Sequence, residues 1–132
     1  MFSHIMIGCR DLNRLAAFYD AVLAPLGLIR TPNEDDGGPP GAGWGRPGAR
    51  WPHFYVQYPF NHLPATWGNG VQISFAAPTR DAVDQAWRAA CHHGGRDEGA
   101  PGLRAHYAPD YYGAYCRDPE GHKLCFVHAQ GL

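Results

Sequence analysis

The chain has 132 residues, close to the length that one hydrophobic core organises, so a single domain spanning 1–132 is expected and a pair of independently folding domains is not. Its 45% hydrophobic, 13% aromatic and 17% charged residues exclude a disordered or fibrous chain. Eleven Lys plus Arg against twelve Asp plus Glu leave a net charge of -1, with no broad basic field to attract nucleic acid or anionic lipid.

His4-Ile-Met-Ile-Gly-Cys9 alternates, as a strand with one core face does. Asp11 suits an N-cap, and Leu12, Leu15, Ala16, Tyr19, Val22, Leu23 and Leu26 recur at helical spacing until Gly27. Residues 27–31 fit a second strand. Residues 33–50, rich in Gly and Pro around Trp44, read mostly as loop with room for one short strand. His53 to Tyr58 alternates again, with Phe54, Val56 and Tyr58 on one face and His53, Tyr55 and Gln57 on the other, and Pro59 ends it.

The plan then restarts. Val71 to Ala76 alternates, Pro78-Thr79 opens a helix whose apolar stripe is Val83, Ala86, Trp87, Ala90 and Cys91, and Gly94-Gly95 closes it. A turn-rich segment, 97–109, precedes a strand at Tyr111 to Cys116, a turn at Asp118-Pro-Glu-Gly121 and a last strand at Lys123 to His128. A shift of 68 lays Ile5 on Ile73, Leu15 on Val83, Tyr19 on Trp87 and Gly27 on Gly95. Carried to the end, the same shift lays Val56 on Leu124 and Gln57 on Cys125, giving two βαβββ modules, about 1–66 and 67–132.

No stretch approaches the ~20 apolar residues of a membrane span and no secretory leader opens the chain, so a cytoplasmic location is expected. Cys9, Cys91, Cys116 and Cys125 show no CxxC spacing, which argues against a disulfide framework or a zinc knuckle.

His4-Ile-Met-Ile-Gly-Cys-Arg-Asp-Leu12, followed by Phe18-Tyr-Asp-Ala-Val-Leu23, Leu26-Gly-Leu28 and, near the end, Asp118-Pro-Glu-Gly-His122, resembles glyoxalase, bleomycin-resistance and dioxygenase proteins of the vicinal oxygen chelate superfamily. The resemblance covers nearly the whole chain. It implies an α+β fold of two βαβββ modules forming paired half-barrels around a cavity, a small-molecule ligand and a homodimer. It also implies one divalent ion (zinc, nickel, iron or manganese) held from the first and last strand of each module. Carried over residue by residue, those positions are His4, Gln57, Gln72 and Cys125, and both acidic ligand positions of metal-binding relatives are lost.

Alternation independently puts these four on the concave face, with Ile5, Ile7, Ile73, Phe75, Val56 and Leu124 toward the helices. The set is weak for chemistry, because an amide is no base and a hard cation prefers anionic oxygens. His4 therefore stands between metal ligand and hydrogen-bonded cavity histidine, and Cys125 between thiolate ligand and small buried hydrophobe. His106, within a segment dense in Tyr and His, is the alternative base, against a plain role on a wet loop surface. Tyr55, Trp44, Tyr112 and Tyr115 are the aromatic candidates for a ligand, with the Trp44–Trp51 loop read equally as a lid or as a disordered connector. Two functions stay open: a metalloenzyme like lactoylglutathione lyase or a dioxygenase, and a metal-free binder of antibiotic type.

Overall fold

The computed structural model describes residues 1–32 and 35–132; residues 33–34, at the start of the Gly/Pro-rich stretch, lie outside the described residues. Strand β1 (His4–Gly8) leads into α1 (Leu12–Leu23), followed by a 3-10 turn at Ala24–Leu26, β2 (Ile29–Arg30), β3 (Gly41–Gly45) and β4 (His53–Gln57). The second half repeats the order with β5 (Gln72–Ala76), α2 (Arg80–His92), β6 (Arg96–Leu103), β7 (Tyr112–Arg117) and β8 (Lys123–His128). Each half is one four-stranded mixed sheet, ordered β1-β4-β3-β2 and β5-β8-β7-β6. These are the paired βαβββ modules expected, as two half-barrels with no closed barrel among the described residues.

Local chemistry sets the helix ends. Asp11, extended at φ -130, accepts from the Arg14 amide at 3.1 Å, and Thr79 accepts from the Ala82 amide at 3.0 Å. Gly27 stops the first helical run at φ +76, where its amide donates to the Ala24 carbonyl and a Cβ would be strained. Each helix lays its apolar stripe on its own sheet, and the two helices pack on each other. Leu15, Tyr19, Val22, Val56, Val83, Ala86, Leu124 and Phe126 are wholly buried between them.

Two sequence expectations change. The turn-rich segment is an eight-residue edge strand, β6, whose register slips against β7 between Asp97 and Gly99 and again between Gly99 and Gly102. An edge position tolerates Pro101 and the slips, because one side of the strand makes no ladder bonds. Cys91, expected in the apolar stripe of α2, is exposed, whereas Cys9, Cys116 and Cys125 are buried; all four are free thiols.

The Asp118–His122 turn clasps the modules together. Tyr19 Oη donates to Asp118 Oδ2 at 2.7 Å, His122 Nε2 donates to the Gly8 carbonyl at 2.8 Å, and the Glu120 carboxylate accepts from the Arg10 and Asp11 amides at 2.6 and 3.0 Å. Glu120 thereby brings a negative charge to the start of α1, the positive end of its dipole. Burial raises the Asp118 carboxyl above its ordinary value, against the pull of His122 and the Tyr19 hydroxyl, and burial beside Asp118 raises Tyr19 as well.

Candidate functional site on the concave sheet faces

Parallel pairing of β1 with β4 sets His4 opposite His53 and Met6 opposite Tyr55. Residues opposite one another in register share a face, so His4, His53 and Tyr55 stand together on the concave side of the first sheet. The imidazole of His4 meets the Tyr55 ring edge-on at 5.8 Å and lies 6.3 Å from the Trp51 ring. His53 Nδ1 shares a 2.9 Å hydrogen bond with the Tyr55 hydroxyl, and His4 Nδ1 shares one of 2.9 Å with Ser3 Oγ. Both imidazoles are therefore oriented through Nδ1, which leaves each Nε2 without a protein partner among the described residues.

Neighbouring β3 reads Gly41-Ala-Gly-Trp-Gly45, with glycine at every concave position and Ala42 and Trp44 turned to the core. The glycines are required by close approach. A Cβ on Gly43 would lie 2.5 Å from Tyr55 Cε1 and 2.9 Å from Thr31 Oγ1, and one on Gly45 would overlap the His53 ring. The missing side chains let His53 and Tyr55 lean across β3 and open a hollow of about 660 Å³, bordered by Trp51, Gln57, Arg46 and Arg50.

The second sheet carries a separate hollow of about 590 Å³, lined by Gln72, Glu98, Arg104, Tyr107, Tyr111, Tyr115 and Lys123. The Tyr111 hydroxyl lies 3.4 Å from that of Tyr115 and 3.5 Å from Cys125 Sγ. Burial, ahead of the Cys125 contacts, raises Tyr111, and burial also raises Tyr115, so both phenols stay protonated at neutral pH. Among the described residues, none lines both hollows.

The four positions carried over from metal-binding relatives do not gather. Gln57 pairs with Gly8, four residues along β1 from His4, and its Nε2 donates to the Pro39 carbonyl at 2.8 Å. In the second sheet Gln72 lies opposite Lys123, and Cys125 lies opposite Ser74. The module repeat therefore shifts by 70 rather than 68 on the last strands (123 minus 53), so Tyr55 corresponds to Cys125 and His53 to Lys123. Gln72 gives its amide to Ser74 Oγ at 3.0 Å, and Cys125 is wholly buried beside Tyr111.

The superfamily often binds a divalent metal, but this donor set fits one poorly. The first face offers two imidazoles and no anionic oxygen, the second an amide and an ammonium that repels cations, and no three His, Cys, Asp or Glu side chains cluster among the described residues.

The remaining candidates are dispersed. Tyr55 and Tyr115 face the two hollows. Trp44 is 1% exposed on the helix side, where its Nε1 donates to Asp20 at 3.0 Å and its ring packs on Tyr19 and Phe54, so it is no part of a lid. Tyr112 also turns to the helix side and donates to Asp84 of α2 at 2.7 Å. His106 is exposed on the β6–β7 connection, its ring 4.1 Å from that of Tyr107. Sequence reading missed His53, Lys123 and Arg104 as site residues; alternation places His53 beside Tyr55, but nothing local marks Lys123.

Comparison with known proteins agrees with this geometry. A profile of the glyoxalase-like domain matches residues 4–127. A crystal structure of a glyoxalase/bleomycin resistance protein from Albidiferax ferrireducens T118 is 37% identical, covers 98% of each chain and superposes with a TM-score of 0.81. A glyoxalase/bleomycin resistance protein/dioxygenase family enzyme from Burkholderia phytofirmans PsJN shares the fold at 20% identity, 96% coverage of each chain and a TM-score of 0.69. A lactoylglutathione lyase from Agrobacterium tumefaciens does so at 18% identity, 100% and 97% coverage and a TM-score of 0.63. No curated protein matches the chain in sequence. With paired βαβββ modules, a family profile spanning nearly its whole length and a solved relative above one-third identity, the chain belongs to the glyoxalase-like domain family of the glyoxalase/bleomycin resistance/dioxygenase superfamily.

Proposed function

We propose that the protein binds a small planar organic molecule on the concave faces of its sheets, and that this binding does not depend on a metal ion. The glycine floor of β3 carries the reading. A strand that gives up three side chains on one face, while its other face is packed into the core, leaves a slot bounded by His53, Tyr55 and Trp51. Aromatic walls with a few placed polar groups suit a planar ligand, and the hollow has the size of ordinary small-molecule sites.

A thermal-shift panel of planar aromatic compounds tests it. A ligand at 100 times its Kd stabilises the native state by about 2.7 kcal/mol, enough to raise Tm by several degrees. The shift is expected in the wild type and reduced for first-face ligands in Tyr55→Ala. If no compound in a broad panel moves Tm at millimolar concentration, the reading is wrong.

One observation favours a second reading, metal-dependent lyase or dioxygenase chemistry with zinc, nickel, iron or manganese on His4: the paired imidazoles of His4 and His53, each with Nε2 free of protein partners among the described residues. Elemental mass spectrometry of untagged protein beside His4→Ala decides it, since stoichiometric metal lost in the variant would support this reading over the first.

A homodimer belongs to the same proposal. Both hollows are open, β1 and β5 are sheet edges, and Phe2, Met6 and Val71 are more than half exposed at these edges. A second copy that placed its second sheet over the first sheet of its partner would close each hollow and cover those side chains.

A further inference from the structure

We infer that the molecule bound by the second sheet carries an oxyanion on its aromatic ring, and that Lys123 and Arg104, set around the ring of Tyr115, receive it. The inference rests on the reading that the concave faces hold a small planar organic molecule, and it names the ligand's chemical class: an aromatic carboxylate.

Charge accounting within the hollow supports it. The Arg104 guanidinium carbon and Lys123 Nζ lie 5.7 and 5.8 Å from the centroid of the Tyr115 ring. The hollow's one carboxylate, Glu98, accepts from Arg117 Nε at 2.7 Å and is held below the usual carboxylate range by that bond, so it stays ionised and committed to Arg117. Among the described residues no other acid forms an ion pair here, because the only other ion pair joins Arg30 to Asp20 on the first module. Arg104 spends one donor on the Ala100 carbonyl at 2.8 Å and has no other hydrogen-bond partner for its fork among the described residues. Two cations that form no ion pair among the described residues thus share one hollow with three tyrosines, and Glu98, near enough to Lys123 to feel its charge, is bonded to Arg117 instead.

The uncharged groups complement an anion rather than compete with it. Phenols that stay protonated can donate to an oxyanion but carry no charge to repel it. The rings of Tyr107 and Tyr111, both lining the hollow, stand 5.1 Å apart, a surface for a flat ring to pack against while its carboxylate reaches Lys123. Lysine and arginine bound to a carboxylate form charge-assisted hydrogen bonds, roughly twice as strong as neutral ones, so the neutral analogue should bind far less tightly. The first sheet lacks this pairing of free ammonium and tyrosine cluster: its lysine-equivalent position is His53.

The test uses 2-naphthoate and its neutral isostere 2-naphthamide as probes, with the full chain and calorimetric titration at low and physiological salt. Expected are naphthoate binding at least tenfold tighter than naphthamide, a tenfold or greater loss of naphthoate affinity in Lys123→Met and in Arg104→Gln, and retention in Lys123→Arg. Lys123 is the chain's single lysine, so acylation of its amine, read by mass spectrometry on unmutated protein, gives a second measurement that needs no variant: saturating naphthoate should slow acylation of Lys123 several-fold and leave the N-terminal amine unchanged. Equal binding of both probes, with Lys123 acylated at the same rate throughout, overturns the oxyanion inference while leaving planar-ligand binding intact. Naphthoate binding that is lost in Tyr55→Ala but kept in Lys123→Met also overturns it, by placing the anion on the first sheet. If neither probe binds and no neutral planar compound shifts Tm, both this inference and the binding reading fail.

Discussion

Gly43 and Tyr55 define one side of the first hollow by mutual exclusion: the ring occupies the volume a Cβ would need. Gly43→Ala would put that carbon 2.5 Å from Tyr55 Cε1, so the ring must swing out or the strand must shift, at a cost of about 1–3 kcal/mol. In a double-mutant cycle, Tyr55→Ala should recover most of that loss, read by urea denaturation, because the clash disappears with the ring. Additive losses would mean that Thr31, the other neighbour at 2.9 Å, sets the penalty instead. The alternation along β4 is enough to place His53, Tyr55 and Gln57 on one face. It does not place His4 beside His53, four residues from Gln57, because pairing register is a property of two strands and neither strand encodes it alone.

The turn at Asp118–His122 is the element that joins the modules, and its buried bonds give it measurable weight. Tyr19→Phe removes the 2.7 Å bond to Asp118 and leaves a carboxylate oxygen buried without its donor, for an expected loss of about 1–3 kcal/mol in chemical denaturation.

The same carboxyl predicts a pH dependence. Its folded value is raised above the ordinary 3.8 by burial, so the folded chain keeps a proton over an interval where the unfolded chain has lost it. The contribution is fully present below the unfolded value and is lost as pH rises through the raised one. Asp118→Asn should flatten that part of the stability profile in denaturation curves taken at successive pH values; an unchanged slope would place the proton elsewhere. That this segment is a turn before a strand is plain from Asp-Pro-Glu-Gly, whereas its reach across to Tyr19, Gly8 and the first turn of α1 is not, since those partners lie about a hundred residues away in the chain. Strand β6 is hidden for a related reason: Gly99, Pro101 and Gly102 carry turn composition, and only pairing with β7 makes them a strand.

At the scale of the whole molecule, two open hollows and the exposed apolar side chains along the sheet edges β1 and β5 lead to the expectation of a dimer in solution. Light scattering at micromolar concentration should give twice the 14.5 kDa of the chain, and a charge placed at the exposed Met6 (Met6→Glu) should shift the mass toward the monomer without unfolding it. A concentration-independent monomer in both proteins would rule out closure by a second copy.

By itself the sequence determined the two-module plan apart from β6, the helix N-caps, the core faces apart from Cys91, and the family, because each follows from periodicity, capping chemistry and motifs that neighbours along the chain enforce. Tertiary structure alone decided which polar side chains meet. Strand register sets His53, not Gln57, beside His4 and Lys123, not Cys125, beside Gln72, and the repeat slips by two residues on the last strands. An even slip leaves every inward and outward assignment intact, so the alternation that reveals a strand's faces is blind to it, while the chemistry of the site depends on it entirely.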